Sequence, residues 1–179
     1  MSTTSKKKIL AFDQAARLSG WSYWENDKPI EWGTVEPSPK SLLGEKRLKS
    51  LYEQFDSLIS KYNPDILLIE NPVGGDEDKE RGQGATSNWK TAQVLFHVQS
   101  LLMLLAAQHK VKLEIISPSS WQFTTRIHKR SRAERKAGAR EFVEKTYKIS
   151  NVIQDVCDSI CIGYHYIEKE RRENEVSAF

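Results

Sequence analysis

Asp155 and Asp158 stand three residues apart in "QDVCDSICIGYHY", a run that otherwise reads as a buried helix. Burying a carboxylate without a partner is costly, so the pair calls for something to neutralise it. Two further acids end apolar runs that read as buried strands: Asp13 in "KILAFDQ" and Glu70 in "DILLIEN". On a helix, Asp155 and Asp158 lie about 60° apart around the axis. Strand ends in open α/β sheets face one rim, where ligands bind. If the helix packs beside that rim, Asp13, Glu70, Asp155 and Asp158 converge. Four carboxylates at one point raise one another's pKa values, and divalent cations relieve the repulsion. Hard oxygen donors of this kind suit Mg²⁺ or Mn²⁺.

Each acid also has a plainer explanation. Asp155 near a helix start favours the dipole. Asp13 could cap the turn in "DQAARLSG", and Glu70 could pair with a lysine of the loop that follows it. Asp158 lies beyond the first turn among Cys157, Ile160 and Cys161, where the dipole explains it less well. Taken together, with apolar strands leading to two of them, the four favour a site.

The elements that must hold them follow from periodicity. After the first strand, "GWSYWEN" and "KPIEWGTVE" alternate around the turn signal "ENDK" and read as a β-hairpin. Trp21, Tyr23 and Trp32 then pack on sheet faces. Ser41 to Tyr62 is helical, stopped by "NP". "DILLIEN" is the next buried strand. Residues 71–87 have almost no apolar content and read as a loop. Asn88 to about His109 is a long helix, apolar nearly all round between Val94 and Leu105, so it must be covered on more than one side. "VKLEIIS" is the last strand, and a helix near 132–147 follows. The final helix begins after Ser150 or Asn151, both good N-caps, and runs to about Glu170, with "RRENEVSAF" frayed. An antiparallel hairpin followed by parallel strands alternating with helices implies an α/β fold: a mixed sheet with helices on both faces.

At 179 residues the chain reads as one domain, with an ordered core over about 7–170. Charged residues make up 28% and hydrophobic residues 39%, an ordinary globular composition. No run approaches the roughly 20 apolar residues of a membrane span. "MSTTSKKK" is followed by no signal-peptide core, so a cytoplasmic protein is expected. Cys157 and Cys161 read as two core thiols, with too few Cys or His for a zinc site. Net charge is +3, yet Arg126 to Arg140, "RIHKRSRAERKAGAR", holds seven Lys or Arg and one acid. Such a run is either a solvated face or a phosphate-binding segment. Its Gly, Ser and His content favours phosphate, with Arg126, Lys129, Arg130, Arg132, Arg135 and Lys136 as the contacts.

With these stretches in order, the chain resembles the RuvC-type Holliday junction resolvases of the RNase H-like nuclease superfamily, and most nearly their bacteriophage branch. "ILAFDQAARLSGW", "DILLIEN", "ISPSSWQ" and "QDVCDSICIGYHY" carry the resemblance over roughly residues 8–168. The first bacterial motif, D-P-G-x-x-x-T-G-Y/W, is matched by Asp13, Gly20 and Trp21, with Ser19 for Thr. The last, D-A-A-D-A, is here "DVCDS". Gln14 and Ala15 replace Pro-Gly, Val73 stands where a bacterial protein has an aromatic, and Gln122 where lysine is common. The resemblance implies an RNase H-like fold and a homodimeric, metal-dependent endonuclease that acts on four-way and other branched DNA. It makes Asp13, Glu70, Asp155 and Asp158 the metal-binding catalytic carboxylates. It further implies two Mg²⁺ (or Mn²⁺) ions per site: one activates water, one stabilises the leaving 3′ oxygen, and Asp13 bridges both. The helix from Asn88 to about His109, with its nearly all-round apolar middle, is the expected dimer interface.

Three other readings stay open on sequence. A non-catalytic branched-DNA-binding module would have been favoured by loss of one acid. A related nuclease for flapped or single-stranded DNA has the same signature. An actin-like or sugar-kinase-type ATPase shares the topology, but it needs glycine and a hydroxyl beside the first acid. Ala15 and Ala16 stand there instead, so no nucleotide cofactor is expected.

Overall fold

The computed structural model describes residues 7–71, 85–127 and 131–177 of the chain. Five strands form one sheet in the order β3-β2-β1-β4-β5. β1 (Lys8–Asp13) pairs antiparallel with β2 (Ser19–Glu25), which pairs antiparallel with β3 (Lys28–Val35). β4 (Ile66–Glu70) runs parallel to β1, and β5 (Lys112–Ile116) parallel to β4. The hairpin turn is Asn26-Asp27, both at positive φ (49° and 65°). Those angles are what a two-residue type I′ loop requires and what Asn and Asp tolerate best.

Alternation along the strands divides the core. Leu10, Phe12, Leu67 and Ile69 face α1 (Gly44–Tyr62) and α2 (Ala85–His109), meeting Leu51, Phe55, Val98 and Leu102. Ile9, Ala11, Ile66 and Leu68 face the other way, onto α5 (Gln154–Ser177), α3 (Pro118–Thr124) and α4 (Arg132–Tyr147). Helices thus cover both faces of a mixed sheet. Trp21 and Tyr23 pack on Tyr62 on the first face, with ring centroids 5.5 and 4.3 Å apart. Trp32 packs against the second face. Both cysteines are free and buried. Burial pushes the Cys157 thiol up to about 11 and Cys161 well above its usual value, so both stay protonated at neutral pH.

Several boundaries differ from the sequence reading: α1 begins at Gly44 rather than Ser41, and α2 at Ala85 rather than Asn88, inside the stretch read as a loop. α5 begins at Gln154, because Asn151 adopts a left-handed φ of 59° and turns the chain instead of capping it. It continues to Ser177 rather than fraying after Glu170. Arg171 there holds Glu168 and Asp27 at 2.7 and 3.0 Å, and Lys7 pairs with Glu170. "SPSSWQFTT" contains α3, a helix to which the sequence reading assigned no element: Ser117 caps it by accepting from the Ser120 N–H, and Pro118 occupies its first turn. Residues 72–84, with Val73, lie outside the described residues.

Candidate active site

Asp13 and Glu70 end neighbouring parallel strands, one residue past the Phe12–Ile69 pair. Each continues its strand's period-two row, Ile9-Ala11-Asp13 and Ile66-Leu68-Glu70, so both carboxylates point to the α5 face. Opposite them the first turn of α5 presents Asp155 and, one turn on, Asp158. All four line one cleft of about 350 Å³.

Glycine makes this approach possible. Gly20, paired with Asp13 across β1 and β2, lies under the start of α5. A Cβ there would sit 1.9 Å from the Asp155 carbonyl oxygen. Further along, Gly163 rests on the buried Trp24 indole, which a Cβ would meet at 2.4 Å. Both glycines let α5 lie flat on the sheet, and Gly20 sets how near its acids come to Asp13. Ser19 closes the turn after Asp13, its hydroxyl accepting from Ala15 N–H at 2.9 Å and donating to Ala15 C=O at 2.8 Å.

Three neutral residues hold the acids. Gln14 accepts from the Glu70 N–H at 2.9 Å and donates to the Glu70 carbonyl, tying the two strand ends together. Trp121 of α3 donates its indole N–H to Glu70 Oε1 at 2.7 Å. Gln154 donates to Asp158 Oδ1 at 2.8 Å, while its own buried Oε1 has no partner. Gln14, Trp121 and Gln154 were not singled out as site residues from sequence. The cap-and-proline signal of "SP" would have placed Trp121 on a helix, but nothing local marks the other two.

The electrostatics follow from burial. Asp13 is pushed well above its ordinary value, first by burial, then by repulsion from Glu70, Asp158 and Asp155, with Lys136 opposing. Burial raises Glu70, and the Trp121 N–H holds it back. Asp158 is raised to about 7, chiefly by burial, with Glu70 and Asp155 adding; the Gln154 amide and Lys136 oppose. Among the described residues no three His, Cys, Asp or Glu side chains are gathered closely enough to hold an ion as they stand. The donor set still fits one: hard oxygens, desolvated and mutually repelling, beside an unpartnered buried amide oxygen.

The basic segment divides. Arg135 and Lys136 of α4 line the carboxylate cleft. Arg126 is exposed, at a left-handed φ of 60°. Lys129 and Arg130 lie outside the described residues, as does the side chain of Arg132 at the start of α4. Glu134 beside them completes a capping box with Ser131.

No family model matches the chain. It is 24% identical over 168 residues to the crossover junction endodeoxyribonuclease RuvC of Dictyoglomus thermophilum, covering 90% of this chain and 97% of that protein. The enzyme of the same name from Alkaliphilus oremlandii is 27% identical over 114 residues, 62% of either chain. The fold superposes on Thermus thermophilus RuvC in complex with a Holliday junction substrate, with a TM-score of 0.68 at 12% identity over 93% of this chain and 96% of that one. The yeast mitochondrial Holliday junction resolvase gives 0.62 at 15% identity, over 95% and 81%. In sequence and in fold the chain is similar to the RuvC-type Holliday junction resolvases. Its sheet and helices are those of the RuvC structures. Where the family motif has Thr, Ser19 closes the turn with its hydroxyl, and Gly20 keeps the family's glycine where a Cβ has no room. No described helix is long and apolar enough to cross a membrane.

Proposed function

We propose that this chain is a divalent-metal-dependent endonuclease that resolves four-way and other branched DNA junctions by phosphodiester hydrolysis. The supporting observation is the convergence of four acids from three elements on one cleft that also receives Arg135 and Lys136. A lone buried acid would be explained by a local partner. Three acids whose pKa values burial raises, in one cleft, have a use only if cations neutralise them.

Asp13, Glu70, Asp155 and Asp158 would hold two Mg²⁺ or Mn²⁺ ions, which supply an activated water and neutralise charge on the leaving oxygen. The chain's own residues set the stage. Gln14 fixes the spacing of Asp13 and Glu70 by bridging their strands. Trp121 keeps one Glu70 oxygen engaged, leaving the other to face the cleft. Lys136 and Arg135 attract the scissile phosphate and lower the repulsion it meets. Arg126, Lys129, Arg130 and Arg132 of the same basic segment would add phosphate contacts.

The active unit is a homodimer joined through α2. Val98, Leu102 and Leu105 of that helix are buried, while Phe96, Met103 and Leu104 are 38, 45 and 52% exposed. An exposed apolar row on a helix already anchored by its other face marks an interface, and a two-fold pair of sites would cut opposite strands symmetrically. The test is a panel of synthetic DNAs with Mg²⁺: four-way, three-way, flap, duplex and single-stranded. Paired symmetric cuts in the four-way junction are expected. Cutting of single strands in preference to it would refute the reading.

A further inference from the structure

A second surface adjoins the cleft. A groove of about 520 Å³ runs between α3 and α5. α3 contributes the Ser119 and Ser120 hydroxyls and the Phe123 ring; α5 contributes His165, Lys169 and Arg172. We propose that this groove binds the DNA strand leading away from the cleavage site, with Phe123 stacking on a base and Lys169 and Arg172 holding its phosphates. The proposal rests on the nuclease reading above and specifies the path of its substrate.

Geometry connects the two surfaces. His165, Lys169 and Arg172 lie 7, 11 and 14 residues after Asp158. At about 100° per residue they fall within about 40° of the Asp158 direction, so one stripe of α5 carries all four. At 1.5 Å per residue the stripe reaches His165 after about 10 Å and Arg172 after about 21 Å. A DNA strand carries one phosphate per roughly 3.4 Å of axis, so this is the path of about three to six nucleotides. α3 serves both surfaces. Trp121, 4% exposed, donates to Glu70; Phe123, two residues on, turns to the groove and is 65% exposed.

The chemistry matches an unpaired or splayed strand. An aromatic ring beside cations and hydroxyls is the usual platform for single-stranded nucleic acid, where the ring stacks and the donors take phosphate. The walls are fixed, since Thr124 Oγ1 and His165 Nδ1 meet at 2.7 Å and tie α3 to α5. Burial first, then Lys169 and Arg172, push the His165 imidazole below its ordinary value, with Glu114 opposing. Two acids work against phosphate binding here. Glu173 lines the groove, and Glu114 approaches Lys169 at 3.4 Å. Arg172 lines the groove and is exposed. A protein partner would use the same ring, but it would have no reason to follow a stripe that begins at the cleavage site.

The test uses full-length protein and a four-way junction, bound in Ca²⁺ or EDTA so that it is not cut. Phe123→Ser and Arg172→Gln are compared with wild type, with folding checked by circular dichroism and melting. 5-Iododeoxyuridine is placed at successive positions on each side of the cut for photo-crosslinking. Wild type is expected to crosslink at Phe123 three to six nucleotides from the cut on one side only. Arg172→Gln should weaken binding about three- to tenfold and reduce the log–log salt slope by about one. Phe123→Ser should weaken binding without changing that slope and abolish the crosslink. If both folded variants bind with wild-type affinity and slope, the groove does not carry DNA, although the nuclease reading stands. If wild type binds no branched DNA at all, both readings fail.

Discussion

Replacing Asp158 with asparagine is expected to stabilise the metal-free protein at neutral pH while abolishing cleavage. The carboxyl sits at about 7 in the fold against an ordinary 3.8, raised by burial and by Glu70 and Asp155. An acid with a raised folded-state pKa binds more protons folded than unfolded between those two values. Fold stability therefore declines as pH rises from about 4 to about 7 and stays low above that. A shift of this size, at about 1.4 kcal/mol per unit, corresponds to roughly 4 kcal/mol if Asp158 alone carried it. The repulsion is shared with Asp13 and Glu70, so removing one charge should return about half, or about 2 kcal/mol. The asparagine oxygen still accepts from Gln154, so no hydrogen bond is lost with the charge. For a chain of this length that is about 4–8 °C in melting temperature.

The assay is thermal or urea unfolding of both proteins at pH 4 and pH 8, with EDTA and then with Mg²⁺. At pH 4 the two should coincide; at pH 8 in EDTA the variant should be the more stable. Mg²⁺ should reverse the order, since wild type gains about 2.7 kcal/mol at one hundred times the dissociation constant and the variant gains less. Junction binding without metal should survive the substitution or tighten. A helix-dipole role predicts otherwise: little effect at Asp158, modest destabilisation at Asp155, and full activity in both variants. Robust cutting by purified Asp158→Asn in Mg²⁺, or a variant less stable than wild type at pH 8, would refute the assignment.

Trp121→Phe removes the donor that holds Glu70 down, so the acid limb of the cleavage–pH profile should move to higher pH, with near-normal rates recovered above it; an unmoved limb would leave Trp121 a packing residue only. Gly20→Ala drives a methyl into the Asp155 carbonyl and should destabilise by about 1–3 kcal/mol and reduce cleavage more than tenfold, measured by urea unfolding and single-turnover cutting. Leu104→Glu places a charge on the exposed α2 row and should convert a particle of twice 20.6 kDa into a folded monomer by sedimentation; a wild type already monomeric at micromolar concentration would overturn the dimer.

How much of this was legible in the sequence depends on the range of the forces involved. Asp13 and Glu70 were placed by local apolar runs, and strand alternation then puts both on the α5 side of the sheet without further information. Asp155 and Asp158 were visible because a buried helix has few reasons to hold two acids. The end of α5 was not visible: Lys7 and Glu170 lie 163 residues apart in sequence, and no local pattern reports such a pair. α3 was missed because seven residues are too few to show a period, although Ser117-Pro118 marked its start. The departure at Gln14-Ala15 shows what a motif comparison leaves out. Read as letters, it is the loss of a Pro-Gly pair beside the first acid. In the fold, the Gln14 amide reaches across to both backbone groups of Glu70, so the strands bearing the two acids are clamped by a side chain. Buried hydrogen bonds left unmade cost about 1–3 kcal/mol each, so this clamp fixes the spacing of Asp13 and Glu70 firmly. The residue that breaks the family pattern is, in this chain, the one that holds the pattern's first two acids in register.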